Sequence, residues 1–576
     1  MWIFLMILLT STPLCFGAVQ SIVLDPIIIE KEYAHEGTVF SSKLSSALPV
    51  DAITAIPDYS ASVDLRKRAA SGIQQDVSIR GSMFEDNSAV INGIVLNDPQ
   101  TGHFSMDIPL TSADVESVRI EKNALAIDYV THPPSNDGVI LTNSWGQAAS
   151  LDNLVSCSFG TAALRNRFSF QHERSDGLRP NTDFTKYTAS FSSLYSSDAV
   201  DVEVTEGYLK KDFGADGFYG APAYIQEEEH IEKNVVMLRT KIKNAVDLEI
   251  TPYCMLNRDR FLLDRNNPDF YTNIHRTRVL GIKNKLSFQN GAFAELETKE
   301  ESIDSTNLMK HVRTNTQALL GIEHIAWGDF SMSGSAGVSY YSGKWPVAGL
   351  CSLECTYHLT PSLEPYFLFT TQYRLPSFTE LYYVSPTNQG NASLDIQRTD
   401  NFELGIRQRR ERSLISAAGF IRAQKDTIDW VRDASNSPWQ AENIGNLNAR
   451  GIDAAYSYKI PSSQQEFSVN YTFLYLDKNN PYQFSKYVFN YLRHKAVFLY
   501  HLTCQKFVLT PALVYEQPHS SAAHSRWLGN IKISYAPQNN LTYFVEAENL
   551  FNTGYEEFDF IKAAGRFWKA GVTASF

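Results

Sequence analysis

From about residue 141 to the C-terminus the hydrophobic pattern has period two. It is clearest at the end, where Trp568, Ala570, Val572, Ala574 and Phe576 are apolar and Lys569, Gly571, Thr573 and Ser575 are polar or small. Successive side chains of a strand point to opposite faces, so this segment reads as a strand with one apolar and one polar face. Phe467, Val469, Tyr471, Phe473 and Tyr475 alternate with Ser468, Asn470 and Thr472, with Leu474 as an exception. Leu541, Tyr543, Val545 and Ala547 alternate with Thr542, Glu546 and Glu548, with Phe544 breaking the polar side, and Ile531, Ile533 and Tyr535 alternate with Asn530, Lys532 and Ser534. No helical periodicity of comparable length competes. Asn290-Gly291 predicts a two-residue hairpin with Phe288 opposite Phe293. Longer polar connections fall at about 211–230, 384–400, 433–447 and 477–487, so short and long connections alternate. The acidic run Glu227-Glu228-Glu229 is expected on one of the long ones, as solvated surface.

Many amphipathic strands suit a propeller or a membrane barrel. A propeller shows recurring blades of about 40–50 residues, and no such repeat occurs. A membrane barrel needs strands of about 9–11 residues, aromatic girdles and a closed edge. Residues 141–576, at about 20 per strand and connection, give about 22 strands. Beyond the N-terminus no stretch of about 20 apolar residues could cross a membrane as a helix. Composition sharpens this: 34 Phe, 29 Tyr and 8 Trp fit lipid-facing rings and girdles. The net charge of −12 supplies no basic stripe for nucleic acid. Of six cysteines, Cys15 lies in the N-terminal apolar stretch and leaves an odd number. Cys351 and Cys355, four apart on a strand, stand roughly 13 Å from one another, too far to bridge. No zinc spacing and no GxSxG or HExxH motif occurs, so neither a metal, a cofactor nor an enzymatic activity is expected.

Met1–Leu9 is apolar and is followed by Pro13 and small residues, which predicts a signal peptide over 1–17, although no Lys or Arg precedes the apolar run. Residues 35–140 have mixed composition and the length of a small domain. Three blocks stand out there: Asp76-Val77-Ser78-Ile79-Arg80-Gly81-Ser82 with Val90-Ile91-Asn92-Gly93-Ile94-Val95-Leu96-Asn97-Asp98, then Asp98-Pro99-Gln100-Thr101-Gly102-His103 with Asp107-Ile108-Pro109, then Val115-Glu116-Ser117-Val118-Arg119-Ile120-Glu121. They resemble the plug signature of TonB-dependent outer-membrane receptors. Tyr373-Arg374-Leu375-Pro376-Ser377-Phe378-Thr379-Glu380-Leu381-Tyr382 resembles a barrel motif of that family, and Glu548-Asn549-Leu550-Phe551-Asn552 with Tyr555 and Gly565-Arg566 resembles its C-terminal signature. In size and overall pattern the chain is most similar to the cobalamin-receptor branch.

The resemblance implies an all-β membrane protein of the bacterial outer membrane: an antiparallel transmembrane barrel over 141–576 with an α+β plug, residues 35–140, inside its lumen. It implies active import of a scarce nutrient, cobalamin or a ferric siderophore or other metal chelate, with energy transduced by TonB. Residues 18–34 would couple to TonB through Leu24, Asp25, Pro26, Ile27, Ile28, Ile29 and Glu30, because a β-prone peptide with unpaired backbone groups can add as a strand; a first plug strand is the competing reading. Candidate ligand contacts are Ser82, Met83, Phe84, Glu85, Asp86 and Asn87 on one plug loop and Gln100, Thr101, Gly102, His103 and Phe104 on another. Phe576, on the apolar face of the last strand, suits recognition by the barrel-assembly machinery, and lipid is the expected surround. Asn92-Gly93 reads as a type I′ turn, with φ positive at both residues. A buried Arg80 needs a carboxylate, with Glu121 as the expected partner, holding the plug sheet or clipping it to the wall. The family's glycines after the Ile-Glu strand are absent here: Lys122-Asn123-Ala124-Leu125 follows Glu121 instead, and only Gly138-Val139-Ile140 remains of the later element. A passive porin or adhesin, and a soluble secreted β-rich enzyme, are the rival classes.

Overall fold

The computed structural model describes residues 37–576 apart from 135–136, 219–225, 462–463, 480–481, 489, 521–523 and 559–560. The expected signal peptide and the whole coupling segment, Leu24–Glu30 included, lie outside the described residues.

Among the described residues, 22 antiparallel strands close into one barrel, from Gly138–Gly146 to Phe567–Ser575, which pair with each other at the seam. Pairing at the seam leaves no open edge, and alternation sorts the two faces. Trp568 turns outward and is 48% exposed, whereas Lys569 turns into the lumen, with Nζ 2.8 Å from Glu546. The terminal Phe576 extends the seam: its N–H donates to the Val139 carbonyl at 2.8 Å and its carbonyl accepts from the Val139 N–H at 2.9 Å. Five thiols, at Cys157, Cys254, Cys351, Cys355 and Cys504, are free.

The hairpin at Asn290-Gly291 differs from expectation by one residue. Ser287, not Phe288, pairs with Phe293, and the loop has three residues, 289–291. Gly291 takes φ +82° and donates its N–H to the Phe288 carbonyl at 2.9 Å, while the Asn290 side chain accepts from the Ala292 N–H at 3.1 Å. Here asparagine caps the turn through its side chain and glycine alone supplies the left-handed residue, the arrangement of a three-residue hairpin loop.

The long connections lie where the pattern places them, but with different bounds, because strands such as Met309–Trp327, 19 residues long, run well beyond a bilayer. Val200–Gly214 and Glu228–Ile242 take the two ends of 211–230, up to Gly214 and from Glu228 on. The acidic run is therefore not solvated: Glu227 is 0% and Glu229 2% exposed, because the inward face of this strand end is sealed by the plug. Three long connections build a second sheet of their own, in the order Asn388–Gln389, Trp439–Asn443, Ile428–Arg432 and Phe484–Ser485. Ile428, Trp430 and Ala441 of this sheet pack on Phe378, Leu381 and Leu394. Phe378 and Leu381 belong to a short helix, Phe378–Tyr382, whose start is fixed by a capping box: Ser377 Oγ accepts from the Glu380 N–H at 3.2 Å, and Glu380 accepts from the Ser377 N–H at 2.7 Å.

The plug is a five-stranded mixed sheet ordered Gly37–Ser41, Val115–Glu121, Ala126–Thr131, Ser88–Ile91 and Ile94–Val95, with a helix at Ser42–Ala47 and a separate ribbon, Val63–Lys67 with Gln75–Ile79. Val118, Ile120 and Ile127 of its core join Val235, Met255 and Val497 of the barrel wall in one apolar cluster, so plug and wall desolvate each other. Asn92 and Gly93 have φ +50° and +80°, as a type I′ turn requires. Where the family's glycines are missing, Leu125 itself adopts φ +51° and is buried at 1% exposure. A left-handed leucine costs about 1–2 kcal/mol. The pairing of Val115–Glu121 with Ala126–Thr131 and a bond from the Ser88 N–H to the Leu125 carbonyl at 2.9 Å hold it there.

Candidate functional site

The ribbon Gln75–Ile79 ends at Arg80, which takes φ +51°, and Gly81 follows at φ +70°. This double left-handed step drives the chain against the wall: a Cβ on Gly81 would stand 2.4 Å from Leu474 Cδ2. Arg80 does not pair with Glu121. Its guanidinium meets Glu403 at 2.6 Å and Asp453 at 2.6 Å, both on barrel strands, and lies 4.0 Å over the Phe420 ring. Wall carboxylates reach Arg80 because the left-handed step turns it out of the plug sheet, so its role is the plug-to-wall clip.

The loop after Gly81 divides into a lock and a tip. Ser82 and Asn87 form the lock: Ser82 Oγ donates to Asn87 Oδ1 at 2.7 Å, and Asn87 Nδ2 donates to the Val77 and Met83 carbonyls. Asp86 pins the loop to the barrel, 3.1 Å from Arg374 and accepting from Gln397 and Gln424 at 2.8 and 3.0 Å. Glu85 accepts from the Gly102 N–H at 2.8 Å and from Thr101 Oγ1 at 3.1 Å, joining the two candidate loops. Burial, reinforced by the neighbouring Glu380 carboxylate, pushes the Glu85 carboxyl up to about 8, against the pull of Arg374. Gln100 Nε2 reaches Asp259 of the wall at 3.2 Å, and Phe104 is buried with Ile73, Phe184 and Phe213.

Met83, Phe84 and His103 meet the long connections. Met83 packs with Val431, Ile444 and Val488. His103 stacks on Phe84 at 4.1 Å, and Tyr487 approaches Phe84 edge-on at 4.9 Å. His103 Nδ1 is 2.8 Å from Asp76, which also holds Arg68 at 2.8 Å. Burial raises the Asp76 carboxyl, but His103 and Arg68 outweigh it and hold it well below the usual carboxylate range. The connections are bonded to the plug as well as packed on it. The Phe378 and Thr379 N–H groups, unsatisfied within their own helix, donate to the Pro99 and Gln100 carbonyls at 2.8 and 3.1 Å.

A cationic group sits around this aromatic contact. The Lys486 N–H donates to Trp430 at 3.0 Å, and burial followed by Arg68 depresses its ammonium to about 8, Arg432 adding to the effect. Arg432 stacks over Trp439 at 4.2 Å. Asp429 accepts from the Trp430 and Val488 N–H groups and from Ser485, and burial pushes its carboxyl up to about 6. Cations held beside stacked rings suit an anionic aromatic ligand. The expected plug loops thus come together under the long connections. Of their residues, Phe84 and His103 join the aromatic contact, whereas Ser82, Asn87, Asp86, Gln100 and Phe104 are spent on structure. Arg68, Asp76, Lys486, Tyr487, Arg432 and Asp429 were absent from the sequence-based expectation; for Asp76 alone the motif block offered a signal. Among the described residues no group of three or more His, Cys, Asp or Glu side chains could hold a metal ion.

Three solved structures share this architecture. The siderophore receptor PirA from Pseudomonas aeruginosa superposes with a TM-score of 0.75 at 13% identity, covering 95% of this chain and 100% of that one. The copper transporter OprC gives 0.78 at 12% identity, covering 94% and 99%. The FrpB iron transporter from Neisseria meningitidis gives 0.77 at 12% identity, covering 93% and 98%. At such identities the likeness shows the fold. No curated protein matches by sequence alone. The family described as TonB dependent receptor-like, beta-barrel matches residues 120–568, most of the chain, and with the 22-stranded barrel and its plug this establishes that the protein belongs to the TonB-dependent receptors.

Proposed function

We propose that the protein is an active importer of the outer membrane that captures an anionic metal chelate of the ferric-siderophore kind and passes it to the periplasm with energy transduced by TonB. The observation that carries this reading is the roofed contact of Phe84, His103 and Tyr487 with Arg68, Lys486 and Arg432 beside it. A planar, polyanionic ligand satisfies both the rings and the cations. Chain length had suggested cobalamin; three cations gathered beside the rings speak for a more anionic cargo. The similar structures point the same way: they include a siderophore receptor, an iron transporter and a ferric enterobactin receptor.

Transport in this reading is release of the plug from the wall. The ligand is held between the plug tip and the long connections, and force applied from the periplasm then breaks the Arg80 clip. Leu24–Glu30 is the proposed attachment for TonB, by strand addition. The last strand, ending at Phe576, is the proposed signal to the assembly machinery. A passive porin is disfavoured by a lumen filled with apolar plug packing.

The test is uptake of labelled ferric siderophores and cobalamin in cells lacking the gene, restored with the full chain or with one lacking residues 24–30. Ferric-siderophore uptake lost on deletion and regained only with the full chain is expected. Uptake indifferent to deletion rejects import of the ligands tested, and full rescue by the truncated chain rejects the attachment site.

A further inference from the structure

The outward wall carries a charged patch that neither transport nor plug seating uses. Register aligns Lys210, Glu232, Arg258, Arg276, Asp304 and Lys310 in one row across six neighbouring strands. The signs alternate except at the centre, where Arg258 and Arg276 stand directly opposite each other. Like charges in that position destabilise a sheet. Little in the protein offsets them: Arg258 is 4.0 Å from a Glu232 that Lys210 shares at 3.9 Å, and Arg276 makes no ion pair among the described residues. Arg278, two residues further along the same face, is half-exposed and pairs with Glu300 at 3.0 Å. In a chain of net charge −12, this concentration of arginine is local and unexplained by the fold.

Its height on the barrel identifies the partner. On the strand Val246–Leu262 the outward residues Val246, Leu248, Ile250, Cys254 and Leu256 form an apolar run, and Arg258 is next. On the adjacent strand Phe288, Leu286, Ile282 and Leu280 face outward with a single polar residue, Asn284, among them, and Arg278 and Arg276 follow. Ten residues of a tilted strand span about 25 Å, the height of the apolar band of such barrels. The arginines begin where that band ends, at the end with the long connections, and Tyr208 lies beside them with its ring partly exposed, as at a membrane interface. Arg258, Arg276, Arg278 and Lys310 line a groove of about 630 Å³ open to this level.

We propose that this groove binds the phosphorylated headgroup of a membrane lipid, with phosphate oxygens held by Arg258, Arg276 and Arg278 and acyl chains laid along Leu256 and Leu280. Guanidinium forks match phosphate bidentately, and the bound anion removes the repulsion between the opposed arginines. A lipid is favoured over a soluble anion because the cations are continuous with the apolar band.

The test uses the purified full-length protein, stripped of lipid in detergent and titrated by native mass spectrometry with a diphosphorylated glycolipid, its dephosphorylated form and phosphatidylcholine. Binding of the diphosphorylated lipid at least tenfold tighter than of the other two is expected, with loss of that preference in an R276Q/R278Q double variant and a weakened but remaining preference in R276K/R278K. Heat-modifiable mobility of each variant reports an intact barrel. Equal binding of the three lipids by the unaltered protein overturns the proposal without reference to any variant. Full competition by millimolar inorganic phosphate also overturns it, because the site is then one for free anions.

Discussion

Replacing Arg80 by methionine removes the charge while keeping an apolar chain over the Phe420 ring. In the intact protein the guanidinium, 4% exposed, is shared between Glu403 and Asp453 and also donates to Asn123 at 3.1 Å. The substitution leaves two carboxylates facing a dry interface. Asp453 keeps Lys122 at 3.3 Å and Thr472 at 2.7 Å, and Glu403 keeps Asn123 and Tyr366, each at 2.9 Å. Removing one partner of a buried pair costs about 3–5 kcal/mol, and the residual partners place this case toward the lower end. That energy falls on plug seating, because the barrel's own ladders are untouched. Roughly 3 kcal/mol raises the equilibrium for plug release by about two orders of magnitude. Hydrogen exchange of the plug amides in reconstituted protein measures it directly: strand Val115–Glu121 should exchange about a hundredfold faster while barrel strands do not change. The triple variant R80M/E403Q/D453N removes the stranded charges and should recover most of the protection. If R80M alone exchanges within threefold of the unaltered protein, or if the triple variant is no better than the single, the clip is not an electrostatic one and the reasoning fails.

Three further outcomes follow from the same geometry. In Glu85 the folded-state value of about 8 lies above the unfolded carboxylate value, so the folded loop holds the proton more tightly; seating of the loop is strongest below the usual carboxylate range and weakens as pH rises toward about 8. Local protection of the Gly102 amide, corrected for intrinsic exchange, should fall across that window and become flat in E85Q; a flat profile in the unaltered protein refutes it. G81A combines φ +70° with a Cβ 2.4 Å from Leu474 Cδ2 and should lower plug protection by about 1–3 kcal/mol, part of it restored by adding L474A, which frees the space but not the backbone. K486Q/R432Q should weaken binding of a ferric siderophore tenfold or more in a fluorescence-quenching titration, with plug protection unchanged; equal affinity would remove the cations from the ligand site.

Strands were legible because each carries its own evidence. The last one needs only Trp568 to Phe576 to reveal its two faces, whereas its pairing with the first strand at the seam is not in that alternation. Asn92-Gly93 was legible for the same reason, since both residues of a type I′ turn lie in the motif. The Asn290-Gly291 register was not, because the same dipeptide also serves a three-residue loop in which only glycine is left-handed. Two neighbouring residues do not choose between these turns; the remainder of both strands does, and Phe288 then faces lipid beyond the last pair with Phe293. The charges at 227–229 failed for a related reason. A run of acids reads as solvated surface until it is known which side of a strand end it occupies, and here the plug seals that side.

The candidate site was legible only on the plug, and the physical reason bears on how the site works. Ser82 to Asn87 and Gln100 to Phe104 sit in motif blocks and could be named, yet most of their side chains are spent on locks and pins. The groups left with chemistry to offer come from connections hundreds of residues away: Lys486 comes within electrostatic range of Arg68 across more than 400 positions, and Tyr487 meets Phe84 across about 400. Nothing in a period-two pattern encodes such meetings. They depend on the three connections forming a sheet, and that sheet depends on a helix whose first N–H groups are satisfied by plug carbonyls. Site and plug position are therefore one cooperative object. A plug that loses the Pro99 and Gln100 contacts also loses the geometry around Lys486, so a ligand that needs that geometry favours the seated plug. In the import proposed above, binding and release would then be separated by mechanics rather than by affinity alone.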